Sequence, residues 1–370
     1  MRNTLNDYGY ENNLVAEKCA AAWRHIFSDE KTKFYHDVGD TAFMMDTGNT
    51  DARSEGMSYG MMMAVQMNEQ EIFDKIWLWS LRNMYQESGQ YSGYFAWSCA
   101  PDGTKNYDGP APDGEEYFAL ALYFAATRWG DREAPFDYTK KASDIIQAMI
   151  HKGQTPNSGE PMFNNENHLI LFVPGSPFSD PSYHLPHFYE LIAERCYPED
   201  RNFMLTAAKA SREYIKASCH PETGLVSDYA DFEGNPTTPS WGRPVSRTHY
   251  SDSYRVALNI ALDTLWTGGD PEWAKIAERL QTFFLSRPDA MNDTVVNRDG
   301  TPYPEEIMHP LGLLATAAAV SAARPAINPD STELISRFMA APLRTDERRY
   351  YDNCLYFFSL LVLSGQYQKW

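Results

Sequence analysis

Apolar residues recur at three- and four-residue intervals along nearly the whole chain, the spacing of a helix with one buried face. The pattern predicts helices near 11–28, 53–68, 70–85, 115–130, 137–151, 183–195, 199–217, 248–266, 271–286, 306–322, 330–340 and 350–364. In the eighth, Tyr250, Tyr254, Leu258, Ala261 and Leu262 form the apolar stripe. No run of alternating β-branched residues recurs, and strands do not alternate with helices, so α/β folds are disfavoured. Long polar stretches at 87–113, 152–182, 219–247 and 287–305 are rich in Gly, Pro, Asn and Asp. No linker or composition shift divides the chain, which predicts one domain over residues 1–370. Twelve helices without a repeat of fixed period favour an all-α (α/α)6 barrel over a solenoid. A ring of helix pairs gathers several connections at one end, where binding residues tend to sit.

Charge narrows the function classes. The 370 residues carry a formal charge of −18. A duplex nucleic-acid binder needs cationic residues to displace counterions, so nucleic acid is not an expected partner. An anionic membrane surface is disfavoured for the same reason. No run of about 18 apolar residues exists, so no membrane span is expected. Neutral substrates stay open. The 23 Tyr, 19 Phe and 9 Trp supply faces on which sugar rings can stack, although the core uses most aromatics in any protein.

Cys19, Cys99, Cys196, Cys219 and Cys354 are widely spaced and contain no C-x-x-C, which argues against a disulfide framework or a zinc ribbon. The first residues lack the apolar stretch of a secretory signal, and the expectation is a soluble cytoplasmic protein.

Several motifs compete as chemistry. Gly56-Met57-Ser58-Tyr59-Gly60 fits G-x-S-x-G, but Asp51-Ala52-Arg53-Ser54-Glu55 before it does not read as the strand a nucleophile elbow needs. Close helix packing is the expected role of those glycines. His184 and His187 could share a helix face, yet two histidines without a third ligand make a poor zinc site. No phosphate-cradling glycine motif occurs.

Three carboxylates at loop-to-helix junctions matter more: Glu55, Asp113 and Asp252. Each has a structural alternative. Asp113 followed by Glu116 is close to a capping box, and Ser251 or Asp252 could cap a helix. With Tyr94, Phe95, Trp97, Tyr107, Trp241 and Tyr250 nearby in sequence, they suggest a glycan cleft.

These segments resemble glycoside hydrolase family 8. Arg53-Ser54-Glu55-Gly56-Met57-Ser58-Tyr59-Gly60-Met61 is similar to the family's general-acid segment. Ala111-x-Asp113-Gly114-Glu115-x-x-Phe118-Ala119-x-Ala121-Leu122 is similar to its signature, with departures at Pro112, Glu115 and Phe118 that leave Asp113 in place. Asp252-x-x-Arg255 resembles the general-base segment, and Ser182-Tyr183-x-x-Pro186 one that carries an active-site tyrosine. Pro112, Glu115 and Met308-His309-Pro310 resemble the branch that releases xylose from the reducing end of xylo-oligosaccharides. In that branch a similar loop closes the cleft just past the first leaving-group subsite. The alternative for His309-Pro310 is a helix start.

The resemblance implies the (α/α)6 barrel, a xylo-oligosaccharide substrate and inversion, with no metal or organic cofactor. It implies Glu55 as general acid, Asp252 as general base and Asp113 as the residue positioning the −1 sugar. Inversion leaves room for a water, with carboxyls ~6.5–9.5 Å apart. Tyr183 would hold that water, Arg255 would orient Asp252 or touch the sugar, and Trp97, Trp241, Tyr250 and His309 would bind substrate. A helix N-terminus favours the ionised form of Glu55, so burial and the charge of Asp113 must keep it protonated. An endo-acting β-1,4-xylanase, glucanase or chitosanase of the same family remains an alternative. So, outside the family, do a non-catalytic glycan-binding protein, a sugar epimerase using histidine bases and a serine esterase using Ser58.

Overall fold

All twelve expected helices are present in the computed structural model, which describes residues 1–154 and 158–370. Two four-residue helices, Thr4–Asp7 and Asp289–Asn292, join them. Four expected starts are displaced by three residues or more, and two of these bear on the site. The fourth helix begins early, as Pro112–Trp129, because proline fits the first turn, where no intrahelical N–H bond is needed. The eighth begins late, as Arg255–Thr267. Ahead of it, Thr248–His249 forms a strand and Asp252–Tyr254 a 3-10 turn. The backbone N–H groups of Tyr250, Ser251 and Ser253 are drawn to the Asp228 carboxylate at 3.1–3.3 Å, so they do not enter a helical ladder. Tyr250, expected on the helix stripe, instead packs with Val245 and Val295.

The chain forms two compact units, each built from separate stretches. One comprises Met1–His25, Pro177–His187 and Ser211–Gln368; the other comprises Ile26–Ser176, Phe188–Ala210 and Lys369–Trp370.

In the second unit, Ser54–Met67 and Pro112–Trp129 are apolar around most of their circumference and are almost wholly buried. They pack closely at their starts, where a Cβ on Gly114 would lie 2.5 Å from Ser54 Oγ; a Cβ on Gly60 would lie 2.7 Å from Met44 Cγ and 3.0 Å from Ile76 Cδ1 of the helix Gln70–Asn83. Gly60 thus has the packing role expected of it. Gln70–Asn83 buries Phe73, Ile76, Trp77 and Ser80, one face of an amphipathic helix, and Tyr138–His151 does the same with Ala142, Ile145, Ile146 and Met149. Short antiparallel strands Ala52–Arg53, Ser98–Cys99 and Lys105–Tyr107 sit just ahead of the Ser54–Met67 helix.

The other unit repeats the division. Arg255–Thr267, Pro310–Ala319 and Arg349–Leu363 are buried over nearly their whole length, whereas Trp273–Ser286 and Pro329–Ala340 bury one face. Strand Thr248–His249 pairs with Thr294–Asn297, which pairs with Pro302–Glu306. No helix among the described residues is long and apolar enough to cross a membrane.

Candidate active site

Glu55, Asp113 and Trp97 belong to the second unit; Asp252, Arg255, Tyr183, Tyr250, Trp241 and His309 belong to the first.

Glu55 and Asp113 occupy the same place on two helices, the second residue of Ser54–Met67 and of Pro112–Trp129. Neither helix has a side-chain cap: the N-cap residues are Arg53 and Ala111. The capping-box alternative for Asp113 therefore fails. Its Oδ1 accepts from the Gly114 N–H at 2.9 Å, and Glu116 accepts from the Tyr189 hydroxyl. The contact of Gly114 with Ser54 brings the two helix starts together. Asp113 is buried and Glu55 half-buried. The partial positive charge at both helix starts favours anions there.

Trp97 is fixed beside Glu55. Its carbonyl accepts the Ser54 N–H at 3.0 Å, and its ring stacks on Tyr107 with centroids 5.3 Å apart. Arg53 lies 5.4 Å over the indole and within 3.2 Å of both Asp46 and Asp51. An aromatic platform with a guanidinium on it results. Tyr94 and Phe95 are core instead: both are fully buried, and the Tyr94 hydroxyl donates to the carbonyls of Ala148 and Glu160. Glu115 is also fully buried, its Oε1 accepting from Phe95 N–H, and burial pushes its pKa up to about 8.

Asp252 is held differently. It sits in a 3-10 turn with its side chain 30% exposed, between two buried aspartates. Asp228 accepts from three backbone N–H groups of residues 250–253 and from Ser253 Oγ at 2.6 Å. Asp180 caps the turn Pro181–Tyr183 by accepting the Ser182 N–H at 2.7 Å. Arg255, nearly buried, lies 3.3 Å from Asp252 Oδ1 and 3.7 Å from Asp180 Oδ2. Its guanidinium stands 5.4 Å from the Tyr183 ring. Asn259, one turn further along the helix, donates to the Ser182 carbonyl at 2.8 Å and ties the Tyr183 turn to it. Burial, then the charge of Asp252, pushes the carboxyls of Asp180 and Asp228 up.

Tyr250 is buried, with Arg243 6.0 Å over its ring. Trp241 is 64% exposed and lies 6.3 Å from Phe178 and 6.4 Å from Tyr229. His309 precedes Pro310–Ala319, so it does mark a helix start, and its ring is nearly buried.

The profile of glycosyl hydrolases family 8 matches residues 15–362. The chain belongs to this family. Over 374 residues it is 49% identical to the reducing end xylose-releasing exo-oligoxylanase of Halalkalibacterium halodurans, covering 100% of this chain and 94% of that one. A crystal structure of a reducing end xylose-releasing exo-oligoxylanase superposes with a TM-score of 0.96 at 49% identity, covering 100% of this chain and 96% of that one. Another, of a variant complexed with xylobiose, gives 0.95 at 48%, covering 100% and 97%. The fold of this family is the (α/α)6 barrel expected from the helix count, and the chain is a glycoside hydrolase.

Family membership also disposes of the Ser58 alternative, with the geometry in agreement. Ser58 lies inside a helix and its hydroxyl donates to the Glu55 carbonyl at 2.9 Å. His184 and His187 are fully buried, and His184 is bonded at both nitrogens to the Ser179 and Ser211 hydroxyls. Burial pushes both imidazoles down to about 3, as neutral core histidines. No group of three or more His, Cys, Asp or Glu among the described residues is arranged to hold a metal.

Sequence reasoning missed Asp180, Asp228 and Asp352. Asp180 had a local signal, an Asp before Pro-Ser-Tyr, which is a capping pattern. Asp228 reaches the Asp252 turn over 22 residues or more and Asp352 reaches His309 over 43, and no local pattern marks them.

Proposed function

We propose that this family 8 enzyme releases xylose from the reducing end of xylo-oligosaccharides with inversion, as one catalytic domain. The observation that carries this reading is the likeness, at 48–49% identity over the whole chain, to proteins with that activity. Glu55 gives its proton to the glycosidic oxygen as the bond to the anomeric carbon breaks. Water attacks that carbon from the opposite face and passes its proton to Asp252. Arg255, 3.3 Å from Asp252 Oδ1, orients it, and Tyr183, fixed beside Arg255, holds the water. Asp113 takes hydroxyls of the −1 sugar. Trp97 and Trp241 offer stacking faces, Tyr250 lines the base segment, and His309 contacts the sugar at the reducing end.

Xylotriose labelled at its reducing end tests this, with the anomer of the new end read by NMR. Early release of labelled xylose with inversion is the expected result. Internal cuts on longer chains would move the activity to an endo-enzyme, and binding without turnover would make the protein a glycan-binding one. Retention of configuration would remove Asp252 from the role of base.

A further inference from the structure

The first turn of the Arg349–Leu363 helix presents two adjacent side chains to two different pieces of the proposed machinery. Asp352 is fully buried, and its carboxylate is met by three groups. His309 Nδ1 lies 2.9 Å from Oδ2, Arg344 donates to the same oxygen at 2.6 Å, and Gly312 N–H donates to Oδ1 at 2.7 Å. The Gly312 bond anchors the start of Pro310–Ala319, the helix that His309 precedes. Arg344 also donates to the Met308 carbonyl at 2.9 Å, so the Met308-His309-Pro310 segment is held at its backbone and at its imidazole. Next to Asp352, the Tyr351 ring stands edge-on to His309, centroids 4.9 Å apart, and its hydroxyl donates to the carbonyl of Ser251, the neighbour of Asp252.

A carboxylate bonded to a guanidinium has no proton to give, so the proton in the His309–Asp352 bond belongs to Nδ1. In a neutral imidazole the other nitrogen is then an acceptor. We propose that Asp352 is a positioning residue for chain-end selection: it fixes His309 in the Nδ1–H tautomer and leaves Nε2 as a lone-pair acceptor for a hydroxyl of the terminal sugar. This rests on the reading of His309 as a substrate contact. Without Asp352 the ring can rotate or take the other tautomer, and the same nitrogen then donates or points elsewhere.

The experiment has two parts. First, nitrogen-15 NMR of histidine-labelled wild type at about pH 8, with H309A assigning the signal, reads the tautomer directly. The expected result is Nδ1–H with a bare Nε2. An Nε2–H ring, or one protonated at both nitrogens, overturns the proposal. This part needs no variant of Asp352 to fold. Second, D352N, H309A and the double variant are compared on xylotriose. D352N is expected to raise KM about tenfold with kcat within about threefold. The double variant should be no worse than H309A, since Asp352 acts through His309. Additive losses, or a fall in kcat alone, would show a structural role only and overturn the proposal. A wild type that does not release reducing-end xylose would bring down the proposed function whatever the tautomer. A wild type that does, with the wrong tautomer, would bring down only this inference.

Discussion

The two compact units hold their carboxylates by opposite means. Glu55 and Asp113 stand at equivalent positions on two helices, and what fixes them is backbone: buried helices, a glycine contact and the helix field. Asp252 stands on a 3-10 turn, and what fixes it is a web of side chains, Asp228 below the turn and Arg255 beside it. A helix start gives rigidity at little cost in polar burial. A side-chain web places a carboxylate where no helix runs, but it must bury further charges to do so. The difference implies that the first pair fails on changes of shape at the helix contact, while Asp252 fails on changes in its polar neighbours.

The largest expected effect treats both units alike. E55Q and D252N should each slow xylotriose hydrolysis by ~10²–10⁴-fold, the usual worth of an acid or base. Substrate binding, measured by calorimetry, should persist. Near-normal turnover in either variant would remove that residue from its role.

D228A comes next and separates the units. It leaves several buried N–H groups without an acceptor, a loss of about 1–3 kcal/mol or more. The freed turn should lower kcat by up to about 100-fold through misplacement of Asp252. An unchanged kcat in D228A would break the comparison, since the Asp252 turn would then not depend on its side-chain web.

The third effect is on pH. Glu115, buried behind Asp113, has its pKa pushed up to about 8 from 4.5. The folded state therefore binds this proton more tightly than the unfolded chain does. Its contribution is full below 4.5 and is lost as pH rises through about 8, on the order of 5 kcal/mol at most. Thermal melts should show wild type losing stability over that window relative to E115Q, whose amide does not titrate. Parallel curves would mean that Glu115 is not protonated in the fold. In the other unit the buried imidazoles of His184 and His249, pushed down to about 3 and about 4, work in reverse. Their contribution is full above ~6.5 and is lost as pH falls toward those values. Hydrogen exchange should therefore show Pro112–Trp129 opening on the alkaline side and the segments around 184 and 249 on the acid side.

The smallest effect tests shape. A Cβ on Gly114 would meet Ser54 Oγ at 2.5 Å and the Ser54 backbone at 3.1 Å. G114A should cost about 1–3 kcal/mol by overpacking and lower the melting temperature by a few degrees. It should also cut activity, since the two carboxylate-bearing starts are pushed apart. A stable but inactive G114A would sharpen the view that this pair is held by shape.

The periodicity of apolar residues made the helices legible, because burying one face is the same problem in every helix. It misread Tyr250, whose place is decided by Asp228, 22 residues away. Glu55, Asp113 and Asp252 were legible because their neighbours in sequence are also their neighbours in space: Gly114 follows Asp113, and Arg255 follows Asp252 by three residues. Asp228 and Asp352 were not, since their bonds run between distant segments. Tyr94 and Phe95 took the core reading that was the safer one for any single aromatic, since an aromatic in a polar stretch looks the same whether it faces sugar or core.

The interleaving of the units has a consequence for synthesis. Asn12–Phe27 carries buried Val15, Cys19 and Ala22 into the unit completed by Ser211–Gln368, and Trp23 meets Phe357 with ring centroids 6.3 Å apart. At ~5–20 residues per second a ribosome needs roughly 17–67 s to make the intervening chain. Phe27 meets Tyr35 early, but throughout that interval Trp23 lacks its contact with Phe357. The nascent protein is therefore a client for chaperones that shelter such side chains, and its yield in a cell should depend on them more than its final stability suggests.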